Sequence, residues 1–125
     1  FLVLERDSRA GKDAAFKKVF RIDIAAATDV SGTDKLPANE LPKDIKAVTK
    51  TAFLDLLDPA FKITGKDCPE KFEGLAFGPD LPDGKRLLLV TVDNDFIATT
   101  PFRVYAFAVD PSALKGFTPQ VFDAK

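Results

Sequence analysis

The chain has 125 residues, 30% of them charged and 46% hydrophobic, with a formal net charge of −1. That length suits one domain able to bury a core without disulfide staples, and the near-neutral charge gives no broad pull toward nucleic acid or an anionic membrane. Histidine is absent and Cys68 is the only cysteine, which excludes a Ser-His-Asp triad, a Cys-His dyad, a His-ligated zinc, an internal disulfide and any CxxC motif.

Phe1-Leu2-Val3-Leu4 is a short continuous apolar run and reads as a buried strand. The chain thus opens directly on a strand-like run, as expected of a mature or clipped piece of a longer protein. A polar turn carrying Gly11 follows, and from Lys17 to Ile24 the residues alternate, with Phe20, Ile22 and Ile24 on one face. These two runs predict a hairpin. Residues 25–44 hold Gly32, Pro37 and Pro42 among several Asp and Thr, and predict a long surface loop of the functional or mobile kind. Lys46 to Leu57 is apolar again. Its β-branched Val48, Thr49 and Thr51 favour a strand with Ala52, Leu54 and Leu56 on one face, over a helical stripe of Phe53, Leu56 and Leu57.

Pro59 to Pro69 predicts a second loop, Phe72 to Phe77 a short strand, and Pro79 to Gly84 a turn. Arg86 to Asp93 is nearly continuous in apolar residues, so both its faces are expected to be covered. Phe102 to Val109 alternates, with Tyr105, Phe107 and Val109 opposite Ala106 and Ala108; Thr118 to Phe122 is a candidate further strand. The twelve phenylalanines, placed in alternation, read as core between stacked sheets. No apolar run is long enough for a helix to span a bilayer, so neither a membrane nor a nucleic acid is expected as a partner.

An internal repeat runs through these elements. Leu2 to Asp7 aligns with Leu88 to Asp93, and Lys18 to Ile24 aligns with Arg103 to Val109, both at about 85 residues. A supersecondary unit repeated at fixed period points to a propeller or a solenoid. The expectation is an all-β chain of antiparallel sheets and long loops, about two blades of a partial β-propeller. It forms one domain over residues 1–125, with one blade part in 1–58 and the other in 70–125. Isolated blades leave open edges and apolar faces, so partners are expected in further blades of a parent chain or in self-association.

Three constellations bear chemistry. Glu73 stands in an otherwise apolar strand, where a carboxylate calls for a cation, a salt bridge to Lys71 or Arg86, or exposure at the sheet end. Asp93-Asn94-Asp95 is either a tight turn capped by its own side chains or a loop for a cation or polar ligand. Glu5-Arg6-Asp7 with Arg9 is either an anion-orienting group or an internally paired cluster, and neighbours on a strand point to opposite faces.

Lys71 to Phe77, Arg86 to Val92 and Asp93-Asn94-Asp95-Phe96, with Phe1 to Asp7 and Lys18 to Ile22, resemble the phytase-like family, labelled "esterase-like activity of phytase". The resemblance implies a phosphoric-ester hydrolase with calcium as its cofactor, a phosphate-ester ligand and an extracellular or periplasmic setting. Carried over residue by residue, the resemblance implies that Glu73 alone, of the Glu-Gly-Leu strand, helps hold calcium; in the hydrolase reading Asp93 and Asp95 are further candidate metal ligands and Arg6, Lys71 and Asn94 candidate substrate contacts. Where β-propeller phytases carry Gln-Gly-Asn, this chain has the more acidic Asp93-Asn94-Asp95. A calcium-stabilised binding or scaffold piece without catalysis is the alternative.

Overall fold

A computed structural model describes residues 1–119, so all but the opening of the candidate strand at Thr118 to Phe122 lies outside the described residues. Among the described residues six strands form two three-stranded antiparallel sheets, and no α-helix occurs. By its internal contacts the chain divides into two compact units, Phe1–Phe72 and a second that begins at Glu73. Among the described residues no helix is long and apolar enough to cross a membrane.

The first sheet has the order β1 (Leu2–Arg6), β2 (Lys17–Asp23), β3 (Thr49–Asp55). The predicted hairpin is present, with Leu2 opposite Arg21 and Leu4 opposite Val19. Between β2 and β3 the register slips: Val19 faces Leu54, but Phe20 faces Ala52. Phe53 is thus the extra residue of a bulge, which breaks the two-residue period. The expected common face of Ala52 and Leu54 is lost for that reason, and Leu54 joins the side of completely buried Val19. Val19, Leu56, Ile63, Cys68 and Phe72 are the buried apolar residues of this unit. The connection over residues 24–48 contains no strand or helix and is largely exposed, as its Pro and Gly content dictates. The second loop holds one short 3₁₀ turn, Pro59–Phe61, whose first amide is capped by the Asp58 carboxylate.

The second sheet has the order β4 (Phe72–Phe77), β5 (Arg86–Val92), β6 (Arg103–Val109). Central β5 is buried on one side only: Leu88, Val90 and Val92 are enclosed, while Leu87, Leu89 and Thr91 are half-buried. The nearly continuous apolar run therefore does not mean two covered faces here. β6 alternates as expected, with Tyr105, Phe107 and Val109 half-buried and Val104, Ala106 and Ala108 exposed. The phenylalanines are less uniformly core than their pattern suggests. Phe72 is enclosed, yet Phe1, Phe61, Phe77, Phe96 and Phe102 are exposed.

Strand partners also correct the repeat. Leu4 faces Val19 in the first sheet, and Val90 faces Tyr105 in the second. Leu4 to Val90 and Val19 to Tyr105 are both steps of 86 residues, so Val19, not Phe20, is the counterpart of Tyr105. A slip of one residue matters because it exchanges the two faces of a strand.

Candidate functional site

Glu73 is exposed near the start of β4, beside half-buried Lys71. Gly74 follows because nothing larger fits. A Cβ there would run into the Thr91 hydroxyl and lie 3.4 Å from the Thr91 Cβ. This close approach, with the Gly78 N–H donating to the Leu87 carbonyl at 2.9 Å, sets β4 antiparallel to β5. Glu73 and Asp93 consequently stand at the same end of the second sheet.

Asp93 ends β5 and is exposed, and its Oδ1 accepts the Asp95 N–H at 3.0 Å. Asn94 braces the same turn: its Oδ1 accepts the Phe96 N–H at 3.2 Å and its Nδ2 donates to the Thr100 carbonyl at 3.1 Å. Asp95 and Phe96 adopt left-handed backbone with φ of 53° and 58°, a conformation costly for residues with a side chain. The turn is thus capped by its own side chains, and it holds Phe96 fully exposed at its tip.

Arg6 donates to the Asp7 carbonyl at 3.3 Å and lies 3.9 Å from the Glu70 carboxylate. Glu5 pairs with Lys50 at 2.8 Å, whose ammonium also sits 4.4 Å from the Phe20 ring centroid. Arg86 pairs with Asp80, so the salt bridge considered for Glu73 with Arg86 competes with a partner already in place.

The densest polar cluster centres on a residue the sequence did not single out. Lys17 is completely buried, and its ammonium donates to the Asp7 carbonyl at 2.7 Å, the Glu70 carbonyl at 2.8 Å and Asp7 Oδ1 at 2.7 Å. Asp7 Oδ2 accepts the Ala15 and Phe16 N–H groups at 2.8 and 3.0 Å. The hydrogen bond from Lys17, helped by the Ala15 and Arg9 amides, holds the Asp7 carboxyl well below its ordinary 3.8. This cluster ties the end of β1 to the start of β2 and to the segment before β4. Glu5-Arg6-Asp7 is therefore an internally paired group.

Among the described residues no three acidic or thiol side chains gather in a way that could hold a metal. Calcium takes six to eight oxygens, and Glu73, Asp93 and Asp95 of this chain do not by themselves make such a set. Cys68 is buried, its Sγ 3.7 Å from the Pro69 carbonyl.

Two three-stranded antiparallel sheets with capped acidic turns define the class as an all-β protein of repeated strand units. Within that class the chain belongs to the phytase-like family, described as esterase-like activity of phytase, whose sequence model matches residues 1–96. That span includes the Glu-Gly-Leu strand and the Asp93-Asn94-Asp95 turn. No curated protein and no solved structure matches the chain.

Proposed function

We propose that the chain forms about two blades of a propeller-type phosphoric-ester hydrolase and supplies part of its site without completing it. The observation that carries this reading is the family match over residues 1–96. In this reading Glu73, Asp93 and Asp95 are the carboxylates nearest a calcium ion whose remaining ligands come from elsewhere, and Arg6 and Lys71 are the cations toward phosphate. Asn94 joins through the turn it braces. Fold alone does not carry chemistry, and the capped turn and the dispersed carboxylates support a chain inactive by itself. Exposed Phe102 and Val104, with Ala106 and Ala108 beside Val104, support association with further blades or with a second copy.

The test is hydrolysis of p-nitrophenyl phosphate by this chain and by the full-length protein carrying it, each with calcium and with chelator. The expected result is no turnover by the chain alone, and turnover by the full-length protein that falls on chelation or with Glu73→Gln. A full-length protein without phosphatase activity overturns the reading. If chelator then lowers the melting temperature, the outcome favours the calcium-stabilised scaffold, since a ligand bound only to the native state raises stability.

A further inference from the structure

Equivalent sides of the two sheets differ in kind. In the first sheet Glu5, Lys18 and Asp55 lie abreast, and so do Val3, Phe20 and Ala52. Ion pairs dress that side for water: Lys50 holds Glu5 and Lys18 holds Asp55, each at 2.8 Å, and Lys50 also covers the Phe20 ring. The step of 86 residues carries Lys18, Phe20 and Ile22 to Val104, Ala106 and Ala108 of β6. Those three stand opposite Thr91, Leu89 and Leu87 of β5. On β4, Gly74 abuts Thr91 and Gly78 abuts Leu87, so Ala76 between them shares their side. None of these positions is charged, and Thr91 alone brings a polar side chain. Ala76, Val104, Ala106 and Ala108 are nevertheless exposed. On the reverse side Leu88, Val90 and Val92 are enclosed, and the Phe117 ring packs on Phe77 at 4.6 Å.

We propose that this uncharged face of β4-β5-β6 receives a further sheet of the full-length protein, which lays its bulky side on it. Leu87 and Leu89 make a central ridge, and the glycines and alanines on either strand beside it leave troughs that large apolar side chains fill. The repeat already carries such a side. Leu4, Val19 and Leu54 lie abreast in the first sheet, and Val90 with Tyr105 and Leu88 with Phe107 in the second. Bulky side on small side is a head-to-tail contact, which continues from one repeat to the next. Size argues against a second copy of the chain as the occupant. Three strands of five residues cover about 14 by 17 Å, far below the roughly 800 Å² per partner of a lasting complex. Linkage within one polypeptide offsets so small a contact by raising the effective concentration. The assignment rests on the reading of the chain as part of a larger protein of repeated sheets and names the face by which it is joined; it does not require hydrolysis.

The test is thiol labelling of Ala106→Cys, a change small enough to keep the strand, in this chain and in the full-length protein carrying it. Each is measured against the same protein without the substitution, which subtracts buried Cys68 and any other thiol. Iodoacetamide should modify the introduced thiol freely in this chain at every dilution. In the folded full-length protein it should react at least about tenfold more slowly, because reaction there needs a local opening. Equal rates in the two overturn the proposal. So does slow labelling in this chain: slowness lost on dilution makes a second copy the occupant, and slowness at every dilution means the face is already covered. Ala106→Lys gives a second reading, expected to leave the melting temperature of this chain within about 2 °C and to lower that of the full-length protein by more than about 5 °C. No fall in the full-length protein overturns the proposal as well. A full-length protein that protects the thiol yet lacks phosphatase activity removes the hydrolase reading and supports this one.

Discussion

Lys17→Met is the sharpest perturbation of the first unit, because methionine preserves most of the buried stem and removes only the ammonium. Three short contacts disappear, to the Asp7 carbonyl, the Glu70 carbonyl and the Asp7 carboxylate. Hydrogen bonds to a charged donor contribute more than neutral ones, and a part-buried carbonyl left without its donor costs about 1–2 kcal/mol. The Glu70 carbonyl loses its donor outright, while the Asp7 carbonyl keeps the longer Arg6 contact at 3.3 Å, so the two together give about 2–3 kcal/mol. The lost pairing to Asp7 adds to this, and relief from desolvating the ammonium subtracts. A net loss of about 3 kcal/mol is expected, equivalent to a fall in Tm of about 10–15 °C for a chain of this size. Lys18→Met is the internal control. Lys18 pairs with Asp55 at 2.8 Å on the same strand, but both side chains are over a third exposed, so its loss should cost under about 1 kcal/mol. Urea denaturation of both variants, at unchanged m-value, reads the difference. If Lys17→Met shifts the midpoint no more than Lys18→Met does, Lys17 is not the tie between β1, β2 and the segment before β4.

Acid should weaken the fold through the same cluster. The folded-state pKa of Asp7 lies below its ordinary 3.8, so its contribution is full above that value and is lost as pH falls toward the folded pKa. Asp29, Asp83 and Asp110 are depressed too, chiefly through bonds from Ser31, Lys85 and Ser112, and act in the same direction. Urea midpoints taken between about pH 6 and pH 3 should therefore fall, and Asp7→Asn should flatten that slope; an unchanged slope contradicts the assignment. Gly74→Ala should destabilise by about 1–3 kcal/mol through its collision with Thr91, and Thr91→Ala in the same chain should recover most of the loss. Equal midpoints for Gly74→Ala with and without Thr91→Ala would show that the strand shifts instead. Limited trypsin digestion should cut first after exposed Lys35 or Lys43, within a connection that has few backbone hydrogen bonds; first cleavage inside β2 or β5, read by intact mass, would contradict this.

Much of this architecture was legible along the chain. Alternation over Lys17 to Ile24 and Phe102 to Val109 announced strands β2 and β6, and Pro37, Pro42 and Gly32 announced the long connection between β2 and β3. Self-capping by Asp93 and Asn94 follows from side chains short enough to reach backbone amides two residues on. The Glu-Gly-Leu run pointed to the family before any fold was known. Each of these signals is local: it depends on a period of two, on a fixed φ, or on neighbours a few residues away.

The tertiary structure decided what local pattern leaves open. The bulge at Phe53 arises because β3 must match both Val19 and Phe20 of β2, a demand set by a strand some thirty residues earlier. The buried role of Lys17 rests on Glu70, which meets it only when the chain returns from its second loop. A lysine reads as surface until distant acceptors enclose it, because burial of a charge is tolerable only when its partners arrive together. The repeat shows the same division. Sequence alone found that two hairpins resemble each other, whereas cross-strand pairing fixed the step at 86 and aligned Asp7 with Asp93 and Lys17 with Arg103. Side chains change face at every residue, so only the hydrogen-bonded register tells which of them share a side.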